Sequence, residues 1–62
     1  MTLLSAEIKQ LRADLGMGYE EFGRLMGQSY QTVRKWELGK AKPANPAAIM
    51  ALIREIRKGR GI

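Results

Sequence analysis

The sequence predicts an all-α fold of four or five short helices. Three observations predict it. Apolar residues recur at steps of three and four rather than two. Glycines, prolines and N-capping residues divide the chain at short intervals. Once those helices are laid down, 62 residues leave no room for a sheet, so residues 1–62 read as a single domain.

Leu4, Ile8, Leu11 and Leu15 step by four, three and four, which defines the buried stripe of helix 1. Thr2 or Ser5 is positioned to cap its start and Gly16 to end it. Helix 2 runs from Tyr19 to Met26, with Gly18 as cap and Glu20 and Glu21 in the first turn, where the helix dipole favours anions. Phe22, Leu25 and Met26 form its buried stripe, and Gly27 stops it. Helix 3 starts after Ser29, a good N-cap, and reaches about Leu38 before Gly39. A basic loop, Lys40-Ala41-Lys42-Pro43-Ala44, leads to helix 4, whose start is marked by Asn45 as cap and Pro46 at the first helical position. Helix 4 is expected to extend to about Lys58, with Gly59 as terminator. On its wheel Ala48, Ile49, Leu52, Ile53 and Ile56 fill the arc that should close over helices 1 and 3.

Composition narrows the function classes. The chain has neither Cys nor His, so disulfides and structural zinc are excluded, as are the commonest general base and the strongest nucleophile. No credible acid/base pair and no phosphate-cradling loop is present, so the sequence points away from an enzyme and implies no cofactor or metal. Phe22, Met26, Met17 and Trp36 read as core rather than as the lining of a ligand pocket. The longest apolar run, from Pro46 to Ile53, falls far short of a bilayer span, and the N-terminus lacks the pattern of a secretory signal. The absence of Cys fits a reducing compartment.

Charge is divided unevenly. Residues 1–27 hold Lys9, Arg12 and Arg24 against four carboxylates. Residues 28–62 hold Arg34, Lys35, Lys40, Lys42, Arg54, Arg57, Lys58 and Arg60 against Glu37 and Glu55. Excess positive charge confined to one half suits a polyanionic partner, although a solvated basic surface has the same composition. On helix 3, at about 100° per residue, Thr32, Val33 and Trp36 gather on one side. Tyr30, Gln31, Arg34 and Lys35 gather on the other. Such side chains hydrogen-bond base edges or phosphates: Gln pairs with adenine, and Arg or Lys donates to guanine. The wheel by itself fits an ordinary solvated face equally well.

The preceding segment tips the balance. Helix 2, Gly27-Gln28-Ser29 and helix 3 have the layout of a helix-turn-helix at about 19–38. The stretch Gly16-Met17-Gly18-Tyr19-Glu20-Glu21-Phe22-Gly23-Arg24-Leu25-Met26-Gly27-Gln28-Ser29-Tyr30-Gln31-Thr32-Val33-Arg34-Lys35-Trp36-Glu37-Leu38-Gly39-Lys40 resembles the Cro and phage-repressor (XRE) type of helix-turn-helix. Gly27, Ser29, Thr32, Val33, Trp36, Glu37 and Gly39 fall in register with the family pattern, and the likeness runs from about Ile8 to Pro43. Three positions depart from it: Gly23 stands in place of the usual Ala, Gly18-Tyr19 in place of Ser/Thr-Gln, and Gln28 in place of an apolar turn residue.

The resemblance implies a compact repressor-like domain that reads double-stranded DNA. Tyr30, Gln31 and Lys35 match base-contacting positions, and Arg34, which lies between them, is expected to reach a base edge, with phosphate as the alternative. Tyr19, Ser29, Lys40 and Lys42 match positions that meet phosphate. Arg12 and Glu37 match an ion pair tying helix 1 to helix 3, the alternative for Arg12 being a direct phosphate contact. The family commonly dimerises through the region after the recognition helix, which suggests a homodimer through Ala47, Met50, Ala51 and Arg54 on a palindromic operator; a monomer is the alternative. The function implied is a sequence-specific transcriptional regulator, a dimeric repressor, in the cytoplasm and associated with the nucleoid. The competing reading is the DNA-binding antitoxin of a toxin–antitoxin pair. Such proteins usually add a segment that wraps the toxin, and here only residues 59–62 follow helix 4.

Overall fold

The computed structural model describes residues 3–62, and among them every regular element is an α-helix. In chain order these are α1 (Leu3–Leu15), α2 (Tyr19–Met26), α3 (Tyr30–Glu37) and α4 (Pro46–Arg60). Each helix contributes to one buried cluster: Ile8 and Leu11 from α1, Phe22 and Met26 from α2, Val33 and Trp36 from α3, and Ile53 from α4. Met17 is half-buried and packs against this cluster. Five of the side chains, led by Phe22, are almost wholly removed from water. Burial of this kind stabilises by roughly 1.5–3 kcal/mol per large apolar side chain, and it sets the orientation of every polar face discussed below.

The turn between α2 and α3 is closed by close backbone contacts. Gly27 ends α2 in the left-handed region at φ 71°, which glycine adopts without steric cost. The Gln28 N–H then donates to the Gly23 carbonyl at 2.7 Å. A Cβ at Gly23 would sit 2.7 Å from the Gln28 carbonyl oxygen, closer than real Cβ atoms approach backbone, and a tight 3.3 Å from the Tyr30 nitrogen. Glycine at this position therefore lets the turn fold flat onto α2. Ser29 caps α3 by accepting from the Thr32 N–H at 3.2 Å, and Asn45 caps α4 by accepting from the Ala48 N–H at 3.1 Å. Each cap satisfies a donor that the helix itself leaves open.

Three local expectations are corrected. Ser5 does not cap α1: it lies inside the helix and is buried, because it sits one turn before Ile8 on the core-facing side. The other candidate, Thr2, lies outside the described residues. Gly59 does not terminate α4; the helix continues through it to Arg60, and Gly61 takes the left-handed conformation at φ 71°. The buried arc of α4 centres on Ile53, with Ile49, Met50, Leu52 and Ile56 packed against the core, while Ala48 is exposed. The reason is that α4 packs chiefly against α1, not equally against α1 and α3, which rotates its buried face towards Met50.

Helices α1 and α4 run in the same direction. Pro46, at the start of α4, shares a groove with Leu4, Ser5 and Ile8 near the start of α1. About 15 Å further along both axes, the Arg57 guanidinium donates to the Asp14 carboxylate at 3.0 Å. The groove itself has a volume of about 180 Å³ and is closed on its other side by Trp36, Ala41 and Pro43. The sequence reading anticipated no such opening beside Trp36.

Candidate nucleic-acid interface

Helix α3 divides into two faces. Val33 is fully buried and Trp36 is 6 % exposed, so the indole holds the helix against the core. Tyr30, Gln31, Arg34 and Lys35 all face solvent, and Tyr30 is half exposed despite its size. The Gln31 amide donates to the Tyr30 hydroxyl at 3.5 Å, a long bond that leaves both groups free to exchange it for another partner. Thr32 is half-buried; its hydroxyl lies 3.0 Å from Ser29 Oγ, which fixes the first turn of the helix. Lys40 and Lys42 are exposed on the loop that follows. That loop is hooked to the end of α3, where the Lys40 N–H donates to the Lys35 carbonyl at 2.9 Å.

Arg12 organises the elements behind this face. Its Nε donates to Glu37 Oε2 at 2.7 Å and its second terminal nitrogen to Glu37 Oε1 at 3.1 Å, a bidentate pair in which Glu37 is only 3 % exposed. The remaining terminal nitrogen donates to the Met17 carbonyl at 3.1 Å. The guanidinium also lies 4.3 Å from the centroid of the Tyr19 ring, within the range of cation–π attraction. One side chain thus joins α1, the α1–α2 turn, the start of α2 and the end of α3. The hydrogen bonds to Glu37 hold the Arg12 pKa above its ordinary value, with burial opposing and the Glu37 charge assisting. The Tyr19 ring is accordingly half-buried under Arg12 rather than standing free at the helix start.

Among the residues expected at a subunit contact, Ala47, Ala51 and Arg54 are exposed on α4. Met50 is not available in the same way, because it is half-buried against the core. A feature that sequence reasoning missed is the Asp14–Arg57 pair. Asp14 is held below the ordinary carboxylate range, first by the hydrogen bond from the Gln10 amide and then by the one from Arg57. Gln10 and Asp14 lie four apart on α1, a spacing that does signal the first bond. No local spacing signals the second, which spans 43 positions. The Arg24–Glu20 pair on α2 is long, at 3.7 Å, and largely exposed, so it contributes little.

A short helix carrying two cations, an amide and a phenol on its outer face, set behind a tight glycine turn and pinned by a buried aromatic, defines a DNA-binding helix-turn-helix regulator. A helix-turn-helix family model matches residues 8–49. The chain belongs to that family, the Cro-type (XRE) helix-turn-helix proteins. It is a DNA-binding regulatory family, not typically enzymatic. No match was found among curated proteins or among solved structures. Among the described residues no helix is long and apolar enough to cross a membrane.

Proposed function

We propose that this protein is a homodimeric repressor that reads a palindromic operator through the major groove with α3. Tyr30, Gln31, Arg34 and Lys35 contact base edges. Ser29, Lys40, Lys42 and the start of α2 at Tyr19 contact phosphate. The observation that carries the reading is the division of α3, on which four polar side chains project outward while Val33 and Trp36 are locked inward. Arg12 and Glu37 act behind this surface as a structural pair that fixes its orientation. The exposed strip Ala47, Ala51 and Arg54 on α4 is the surface for a second subunit. A two-fold dimer presents its recognition helices to half-sites about 34–36 Å apart, which positions a repressor to occlude a promoter.

Selection of bound duplexes from a random pool tests the reading. The expected product is a symmetric site with half-sites one helical turn apart. Gln31→Ala should relax preference at one position per half-site with the salt dependence unchanged. Lys42→Ala should weaken all sequences alike and reduce the salt slope by about 1 per subunit. A selected site without symmetry, bound by a 7 kDa species in sedimentation, refutes the dimer. Recovery of no duplex at low salt refutes DNA recognition.

A further inference from the structure

The groove between α1 and the α3–α4 loop has the chemistry of a ligand site. Its floor and walls include Ile8, which is fully buried, Trp36 at 6 % exposure, and buried Pro43. Ser5 also lines the groove but is only 4 % exposed, so these surfaces offer a polar body almost nothing to bond. Its volume is about 180 Å³, and engineered cavities of roughly 150 Å³ admit a benzene ring, so the space suits one ring. The rim differs in character. Among the described residues that line it, Lys42 is the one of a charged type, exposed at the edge, and no Asp or Glu joins it. Pro46 places the first turn of α4 at the same rim, where the helix dipole adds partial positive charge. An apolar floor under a positive rim complements a compact apolar anion.

We propose that this groove binds a small aromatic monocarboxylate, with the ring against Trp36 and the carboxylate towards Lys42, and that the ligand antagonises DNA binding. The antagonism rests on the reading of Lys42 as a phosphate contact. A carboxylate that neutralises Lys42 removes that cation from the DNA face, and linkage makes the opposition reciprocal.

The test uses benzoate, benzamide as its neutral counterpart, and the indole N–H resonance of Trp36, the one tryptophan in the chain. Without DNA, benzoate should shift that resonance saturably with a Kd of about 1 mM, a value in keeping with so few ligand atoms. Benzamide should bind at least fivefold more weakly, and Lys42→Met should erase the difference. Ala41→Leu, which fills the groove and leaves each proposed DNA contact in place, should abolish the shift in a chain whose helical circular dichroism is retained. No saturable shift at ten times the expected Kd overturns the site. Equal binding of benzoate and benzamide overturns the carboxylate assignment.

With the selected operator, saturating benzoate should weaken binding at least threefold relative to acetate at equal ionic strength. Unchanged DNA affinity overturns the antagonism. A chain that answers to benzoate but binds no duplex refutes the DNA reading while leaving the groove assigned.

Discussion

The α2–α3 unit and α4 are both helical, capped and partly buried, yet they are held by different means. In α2–α3 the decisive approach is backbone on backbone: the turn lies so close to Gly23 that a methyl group does not fit. In α4 the decisive approaches are side-chain ones made to α1, through Ile53 in the core and Arg57 on Asp14. Backbone closure fixes an orientation to within fractions of an ångström, because atoms at van der Waals contact cannot interpenetrate. Side-chain packing tolerates rotation and repacking at lower cost. The element proposed to read base edges is mounted on the rigid kind of junction, and the element proposed to meet a second subunit is mounted on the adaptable kind.

The largest break in this arrangement is expected from Arg12→Ala. It strands a buried Glu37 carboxylate and cuts the link from α1 to both α2 and α3. A loss of about 3 kcal/mol or more follows from leaving a buried charge unpaired. That is a large share of the total stability of a chain this size, roughly 3–9 kcal/mol. Urea denaturation followed by circular dichroism should show the unfolding free energy at 25 °C lowered by about 3 kcal/mol; a loss under 1 kcal/mol would contradict the assigned role.

A glycine pair sharpens the contrast, since one substitution should act with opposite sign in the two regions. Gly23→Ala gains helix propensity of about 1 kcal/mol but forces the turn off α2, and overpacking of this kind costs about 1–3 kcal/mol. We expect net destabilisation of about 1 kcal/mol, together with weakened DNA binding as Ser29 and Tyr30 move. Gly59 lies in α4 with nothing within 4 Å of an added Cβ. Gly59→Ala should therefore stabilise, by roughly 0.5 kcal/mol. Thermal melts of the two variants compare them directly, and equal signs would break the distinction.

The smallest effect concerns pH. The Asp14 carboxylate is held below its ordinary range in the folded chain. Its contribution is therefore complete above the unfolded carboxylate pKa, near about 4, and is lost as pH falls through the lowered folded value. The difference in melting temperature between the native chain and Asp14→Asn should stay constant from neutrality down to about pH 4 and shrink below it. A difference that persists unchanged at pH 2 would show that the tether to α4 does not depend on ionised Asp14.

Local signals made α2 and α3 readable. Gly27 marked the turn, Ser29 the cap, and the alternation of Val33 and Trp36 with polar neighbours marked two faces. The Arg12–Glu37 approach was legible only through family resemblance, because 25 positions separate the two residues. Helix α4 was less legible. Its apolar content is nearly sufficient for two different faces, so periodicity placed Ala48 inside and Met50 outside, and packing against α1 decided the reverse. Gly59 looked like a terminator because glycine is a poor helix former, but Gly61 was better placed to close the last turn, through the hydrogen bond from the Ile62 N–H to the Arg57 carbonyl. Gly23 was readable as a departure from the family pattern, and the structure gives its reason in the 2.7 Å approach of the turn.

By itself the sequence determined that the chain is helical, where most helices begin, and which side chains of α3 share a face. Those properties depend on residues within one or two turns of each other. Tertiary structure alone decided the direction of α4 along α1, the face it buries, the Asp14–Arg57 tether, and the groove beside Trp36. Each of these depends on atoms far apart in the chain, whose separation is set by how whole helices settle against one another and by no local spacing.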